Sequence, residues 1–124
     1  MTTRRILTIA VLVLLAYAGL RAADPSGRWT ATFATEVGEQ QYTYEFAVNG
    51  TTLTGTAKGN LTGESPIAEG KIDGDTITFV ENASFMEMPL RFVYSGTMKS
   101  ADEIEFTRTL MDFAPEKLVA KRVK

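Results

Sequence analysis

The chain has 124 residues, with 13 lysines and arginines, 15 aspartates and glutamates, and neither histidine nor cysteine. Without histidine it lacks the commonest general base and the usual zinc ligand; without cysteine it has no disulfide and no thiol to carry a lipid. A formal net charge of −2 gives no electrostatic reason to bind nucleic acid or an anionic membrane.

Arg4 and Arg5 precede an apolar run, Ile6 to Leu20, which Arg21-Ala22-Ala23 follows. A basic start, an apolar core and small residues form the pattern of a secretory signal peptide. Residues 1–23 are therefore expected to be removed, and Arg21 favours cleavage after Ala22 over Ala23. The run is shorter than the ~20 apolar residues of a membrane span, which makes a retained anchor the weaker reading. Taking Arg4, Arg5 and Arg21 from the 13 basic residues leaves 10 against 15 acidic ones, a net charge near −5. Residues 24–124 then form a single exported domain, periplasmic or extracellular, with no stable membrane insertion.

Beyond Ala23 the apolar residues alternate with period two, and turn residues recur every 8 to 12 positions. The first expected strand is Arg28 to Thr35, with Trp29, Ala31 and Phe33 on one face. The second is Gln41 to Val48, aligning Tyr42, Tyr44, Phe46 and Val48. Asn49-Gly50 is a strong hairpin signal and leads to the third, Thr52 to Lys58. The fourth, Pro66 to Ile72, puts Ile67 and Ile72 out of phase, which calls for a bulge near Gly70. Asp73-Gly74-Asp75 turns into the fifth, Thr76 to Glu81, where Ile77 and Phe79 face inward and the strand's end leaves Glu81 free to point outward. The sixth, Met88 to Met98, aligns Met88, Leu90, Phe92, Tyr94, Gly96 and Met98. The seventh, Glu103 to Thr109, carries Ile104, Phe106 and Arg108 in phase, and the eighth is Lys117 to Val123.

Eight strands in about 100 residues with short connections fit an all-β, eight-stranded antiparallel up-and-down meander barrel, since closure removes the exposed edges of a sheet. A two-sheet sandwich is the rival. In the meander, the tight turns after the second, fourth and sixth strands share one end with the start of the first strand and the end of the eighth. The longer connections, Glu36 to Gln40, Gly59 to Ser65, Asn82 to Glu87 and Leu110 to Glu116, gather at the other, open end.

Gly27 and Trp29 at the start of the first strand, with Arg122 on the last, resemble the signature of the calycin superfamily: lipocalins, fatty-acid-binding proteins and avidins. The resemblance implies that Arg122 packs over Trp29 at the closed end and ties the first strand to the last. Leu53-Thr54-Gly55-Thr56 is loosely similar to avidins, but those stack biotin between several tryptophans, and this chain has one. The stretch Gly63 to Phe79 also resembles small exported bacterial proteins of similar length, which implies export and a β fold and no activity.

The open-end connections are unusually apolar, with Phe85, Met86 and Met88 in one, and Leu110, Met111 and Phe113 in another. Exposed apolar clusters mark interaction surfaces, and methionine adapts to irregular partners. The functional reading is a mouth that admits a small apolar or amphipathic molecule. The bland readings are side chains folded down to plug the barrel, or a homodimer interface. Arg108 and Glu69 fall on the inward phase. Either they form an internal pair, or Arg108 snorkels to the rim, or Arg108 anchors a ligand carboxylate, sulfate or sugar hydroxyl; Tyr42, Tyr44 and Tyr94 add hydroxyls to either arrangement. An enzyme would have to use carboxylates, with Glu64, Glu69 and Glu81 the candidates for a glycosidase-like pair. Asp73-Gly74-Asp75 lacks the further ligands of a calcium loop, and no catalytic motif, metal site or cofactor motif is expected.

The sequence thus points to an exported lipocalin-like barrel that binds a small molecule, with Tyr42, Tyr44, Glu69, Phe85, Met86, Met88, Arg108, Met111 and Phe113 as the candidate site. A protein-interaction module using the same apolar loops, or a carboxylate enzyme acting on a carbohydrate-like substrate, are the alternatives.

Overall fold

A computed structural model describes residues 24–124; the expected signal peptide lies outside the described residues. Eight strands follow in order: β1 (Gly27–Thr35), β2 (Gly38–Asn49), β3 (Thr52–Gly59), β4 (Gly63–Asp73), β5 (Thr76–Phe85), β6 (Met88–Ser100), β7 (Glu103–Thr109) and β8 (Glu116–Arg122). Each pairs antiparallel with the next, and β8 returns to β1, closing an up-and-down barrel. The period-two pattern does the sorting. Alternate residues such as Tyr42, Tyr44 and Phe46 on β2 are buried, while their neighbours Gln41 and Glu45 are exposed.

The closed end is held as the Gly-x-Trp and Arg pattern implies. The Arg122 guanidinium lies 4.4 Å from the centre of the Trp29 ring. It donates to the backbone carbonyls of Ala101 and Asp24 at 2.8 and 3.0 Å, and to that of Ser26. The Trp29 indole donates to the Pro25 carbonyl at 2.8 Å, so the fully buried ring leaves no polar atom unpaired. One arginine therefore binds the entry of β1, the β6–β7 turn and its own strand together. β1 and β8 are in register at the clasp itself, through Trp29–Arg122 and Thr30–Lys121.

The bulge near Gly70 is present. The register of β4 shifts between Ala68 and Lys71 on its β5 side, with Glu69 at φ 53°. The shift returns Ile72 to the interior while Ile67 still packs on the core.

The strands run further at the open end than the alternation alone indicates. Glu36–Gln40, Gly59–Ser65 and Asn82–Glu87 were expected as long connections. Instead β1–β2 turns through Glu36-Val37, β3–β4 through residues 60–62, and β5–β6 through Met86-Glu87. Ladder pairs such as Phe85–Met88 and Ala83–Leu90 carry the sheet up to the turn. Residues 110–115, between β7 and β8, remain the long connection.

Candidate functional site

The inward face of the barrel divides into two layers. Around its middle, aromatic rings fill the lumen. Phe79 stacks on Tyr94 with centroids 4.2 Å apart, and Phe106 meets both rings edge-on at 5.6 and 5.7 Å. Gly96 leaves the space for this, because a Cβ there would lie 2.3 Å from the Phe106 ring. Toward the open end the lining changes character. Gln40, Glu81 and Arg108 are the buried polar or charged side chains of the described residues, and they sit in one hydrogen-bonded cluster.

Glu81 is its centre. It continues the inward phase of Ile77 and Phe79 on β5 and is fully buried. Tyr94 donates to Oε1 at 2.8 Å and Tyr42 to Oε2 at 2.9 Å. Since those two hydroxyl protons are committed, Tyr44 must be the donor to Tyr94 at 3.0 Å, and Thr62 the donor to Tyr42 at 2.7 Å. Two strings of hydroxyls therefore converge on one carboxylate. Burial pushes the Glu81 carboxyl above its ordinary value of 4.5, against the lowering effect of Tyr94, Tyr42 and Arg108. Burial likewise raises the Tyr42 phenol to about 12.

Arg108 lies between Glu81 and the mouth. Its NH1 is 3.9 Å from Glu81 and 3.5 Å from the Tyr94 hydroxyl. NH2 reaches Gln40 at 3.4 Å and Glu116 at 2.7 Å, and Nε donates to Glu116 at 2.8 Å. The guanidinium plane also lies over Phe92 at 3.9 Å and Phe33 at 4.9 Å. Every guanidinium nitrogen is thus engaged, and both charges of the buried pair are compensated. Burial works against the charge on Arg108, but the surrounding tyrosines and Glu116 outweigh it, so the group stays cationic.

These positions correct two expectations. Glu69 is not the partner of Arg108. The bulge turns its side chain outward, where it pairs with Arg91 at 2.8 Å. The glycosidase-like pairing is not assembled either, because Glu64 and Glu69 are exposed on the outer surface while Glu81 is buried with both oxygens occupied. Tyr42 and Tyr44 do join the cluster. Gln40 and Glu116 escaped the sequence reading. Gln40 shares the phase of Tyr42, which was a usable signal, whereas the start of β8 had no settled phase to place Glu116.

Above the cluster stands the rim. Met86 is 85% exposed, Met111 84%, Met88 63% and Phe113 58%, while Phe85 is half-buried. These side chains do not fold down into the lumen, which excludes the plugged barrel for them. Met86, Glu87 and Met111 hold left-handed backbone, at φ 51°, 67° and 50°. The two-residue Met86-Glu87 turn thus takes a geometry that usually belongs to Asn-Gly. An open depression of about 670 Å³ lies elsewhere, on the wall across β6, β7 and β8 as far as β1, with Thr97, Glu105, Thr107, Lys117, Val119 and Thr32 among its lining. It contains none of the charge cluster.

No family model and no curated protein matches the chain. Among solved structures the fold is similar to that of a redesigned beta barrel, with a TM-score of 0.64 and 20% identity over 80% of this chain and 91% of that one. It is also similar to EF1p2_mFAP2b bound to DFHBI, with a TM-score of 0.58 and 17% identity over 79% and 93% of the two chains. The redesigned barrel mFAP1 bound to DFHBI gives 0.58 and 18% over 79% and 94%. At these identities the likeness is one of fold.

Proposed function

We propose that this chain is an exported carrier or sensor barrel of the calycin type, which binds a small apolar or amphipathic molecule at its open end. The observation that carries this reading is the pairing of an exposed apolar rim with a compensated polar floor. Phe85, Met86, Met88, Met111 and Phe113 stand above Gln40 and Arg108. A ligand that slid between the rim side chains would remove their apolar surface from water, at roughly 25 cal/mol for each Å² buried. It would meet the outer edge of the Arg108–Glu116–Gln40 layer and no deeper, since aromatic rings occupy the middle of the barrel. The capacity of similar folds to hold DFHBI supports a small molecule as cargo. Export rests on the basic and apolar pattern of residues 4–23.

Native mass spectrometry of the gently purified protein tests the reading. The expected result is a reproducible small-molecule mass above the bare chain, lost on denaturation and absent from a Met86→Ser/Met111→Ser variant. A bare chain that also takes up no added amphiphile contradicts it. A ligand-free dimer that the same variant dissociates favours the protein-interaction reading of the rim.

A further inference from the structure

We propose that the molecule taken at the open end is a cationic amphiphile, an apolar body carrying a positive headgroup. This deepens the reading above and depends on it.

The two ends of the barrel differ in the apolar surface they expose. All four open-end connections carry an exposed apolar side chain: Val37 at 62%, Leu61 at 38%, Met86 at 85%, and Met111 with Phe113 at 84% and 58%. The three connections at the other end are Gly50-Thr51, Gly74-Asp75 and Ala101-Asp102, small or polar throughout. Turn chemistry does not produce this difference. Met86 and Met111 occupy left-handed backbone, where glycine or asparagine would be easier. The fold tolerates strain there and presents two long thioether side chains to solvent.

Charge is the other feature of the open end. Glu36, Glu39, Glu64, Glu87 and Asp112 are exposed in or beside the same four connections. Lys58 stands opposite Glu64 across the β3–β4 ladder, Lys117 is the other free base nearby, and Arg91 is taken by Glu69. Among the described residues, Glu36, Glu39, Glu87 and Asp112 form no ion pair. Beneath them the buried cation, Arg108, is already balanced by Glu81 and Glu116. An anionic headgroup at this mouth would meet, among the described residues, five unpaired carboxylates, Glu36, Glu39, Glu64, Glu87 and Asp112, against two unpaired ammonium groups, Lys58 and Lys117, and no uncommitted guanidinium. A cationic one would meet attraction that no internal base cancels. This disfavours the reading in which Arg108 anchors a ligand carboxylate or sulfate and agrees with the one in which Arg108 is paired internally. The same surplus works against two other occupants of an apolar rim, because a second copy docked rim to rim and an anionic membrane surface would both face like charge.

Calorimetric titration of the protein with dodecyltrimethylammonium, dodecyl maltoside and dodecyl sulfate, each below its micelle concentration, tests the proposal. The ammonium probe is expected to bind about tenfold or more tighter than the sulfate, with the maltoside between them and the advantage shrinking as salt is raised. A Glu36→Gln/Glu87→Gln/Asp112→Asn variant should keep its maltoside affinity and lose most of the ammonium advantage. Equal affinity for the two charged probes, or preference for the sulfate, overturns the headgroup assignment and leaves the open-end site standing. No binding of any of the three overturns the site itself.

Discussion

Glu81 is the residue on which the interior chemistry turns. A small barrel can fill its lumen with apolar side chains alone, yet here one carboxylate is buried with two tyrosine donors and an arginine. Its proton affinity gives a test with a definite sign. In the folded chain Glu81 holds a proton more tightly than in the unfolded chain, whose value is near 4.5. On acidification the folded state therefore takes up this proton first. Glu81 contributes stability below about 4.5 that is lost as pH rises through the folded value. Asp24 has the opposite sign. Hydrogen bonds from Ser26 hold it below 3.8, so its contribution is present above that value and lost on further acidification. Urea unfolding of the wild type and of Glu81→Gln should show the stability difference between them shifting toward the wild type from about pH 7 to about pH 4.5. A constant difference would mean that Glu81 titrates as an ordinary surface carboxylate. Its position continues the alternation of Ile77 and Phe79, yet the expected strand ended at Glu81 and left it free to point outward, and its full burial corrects that expectation. What the sequence could not show was that the strand continues past it to Phe85, which keeps it off the frayed end.

At the scale of elements, the two ends of the barrel answer to different physics. The closed end is a clasp, and its parts were legible as three residues, Gly27, Trp29 and Arg122. Trp29→Ala should cost about 3–5 kcal/mol, because it empties a fully buried position. Arg122→Ala should cost about 1–3 kcal/mol by removing the stacked cation and three carbonyl partners, with ligand affinity unchanged. Thermal unfolding and one binding titration on each variant check both statements. Gly96→Ala should destabilise by about 1–3 kcal/mol, since its methyl group meets the Phe106 ring. The open end trades stability for presentation. Replacing Met86-Glu87 by Asn-Gly relaxes two left-handed residues and should stabilise the barrel by about 1–2 kcal/mol while weakening ligand binding. A stabilised variant with undiminished binding would show that the turn plays no part in the site. The length of these turns was the least legible feature. Polar residues such as Glu39 and Glu64 look like loop residues, but ladder pairing across the strand ends outweighs local composition.

For the whole molecule, an up-and-down topology sends alternate connections to opposite ends, so one sequence builds a clasp at one end and an exposed apolar rim at the other. The alternation of apolar residues made the strand count, the order and the bulge readable, because each strand buries one face against a common core. The partner of Arg108 was not readable, because it depends on a bulge that throws Glu69 outward and on the β7–β8 register that sets Glu116 directly opposite Arg108. The methionines report on both ends of the barrel. Met86, Met88 and Met111 lie at the open end, and Met98 is packed near the closed end on β6. Methyl-labelled methionine NMR, recorded as dodecyltrimethylammonium is added below its micelle concentration, reads both ends at once. Ligand uptake at the open end gives saturable shifts of Met86, Met88 and Met111 with Met98 unmoved. A shift of Met98 with the other three still, or no saturable shift at any of the four, would contradict it.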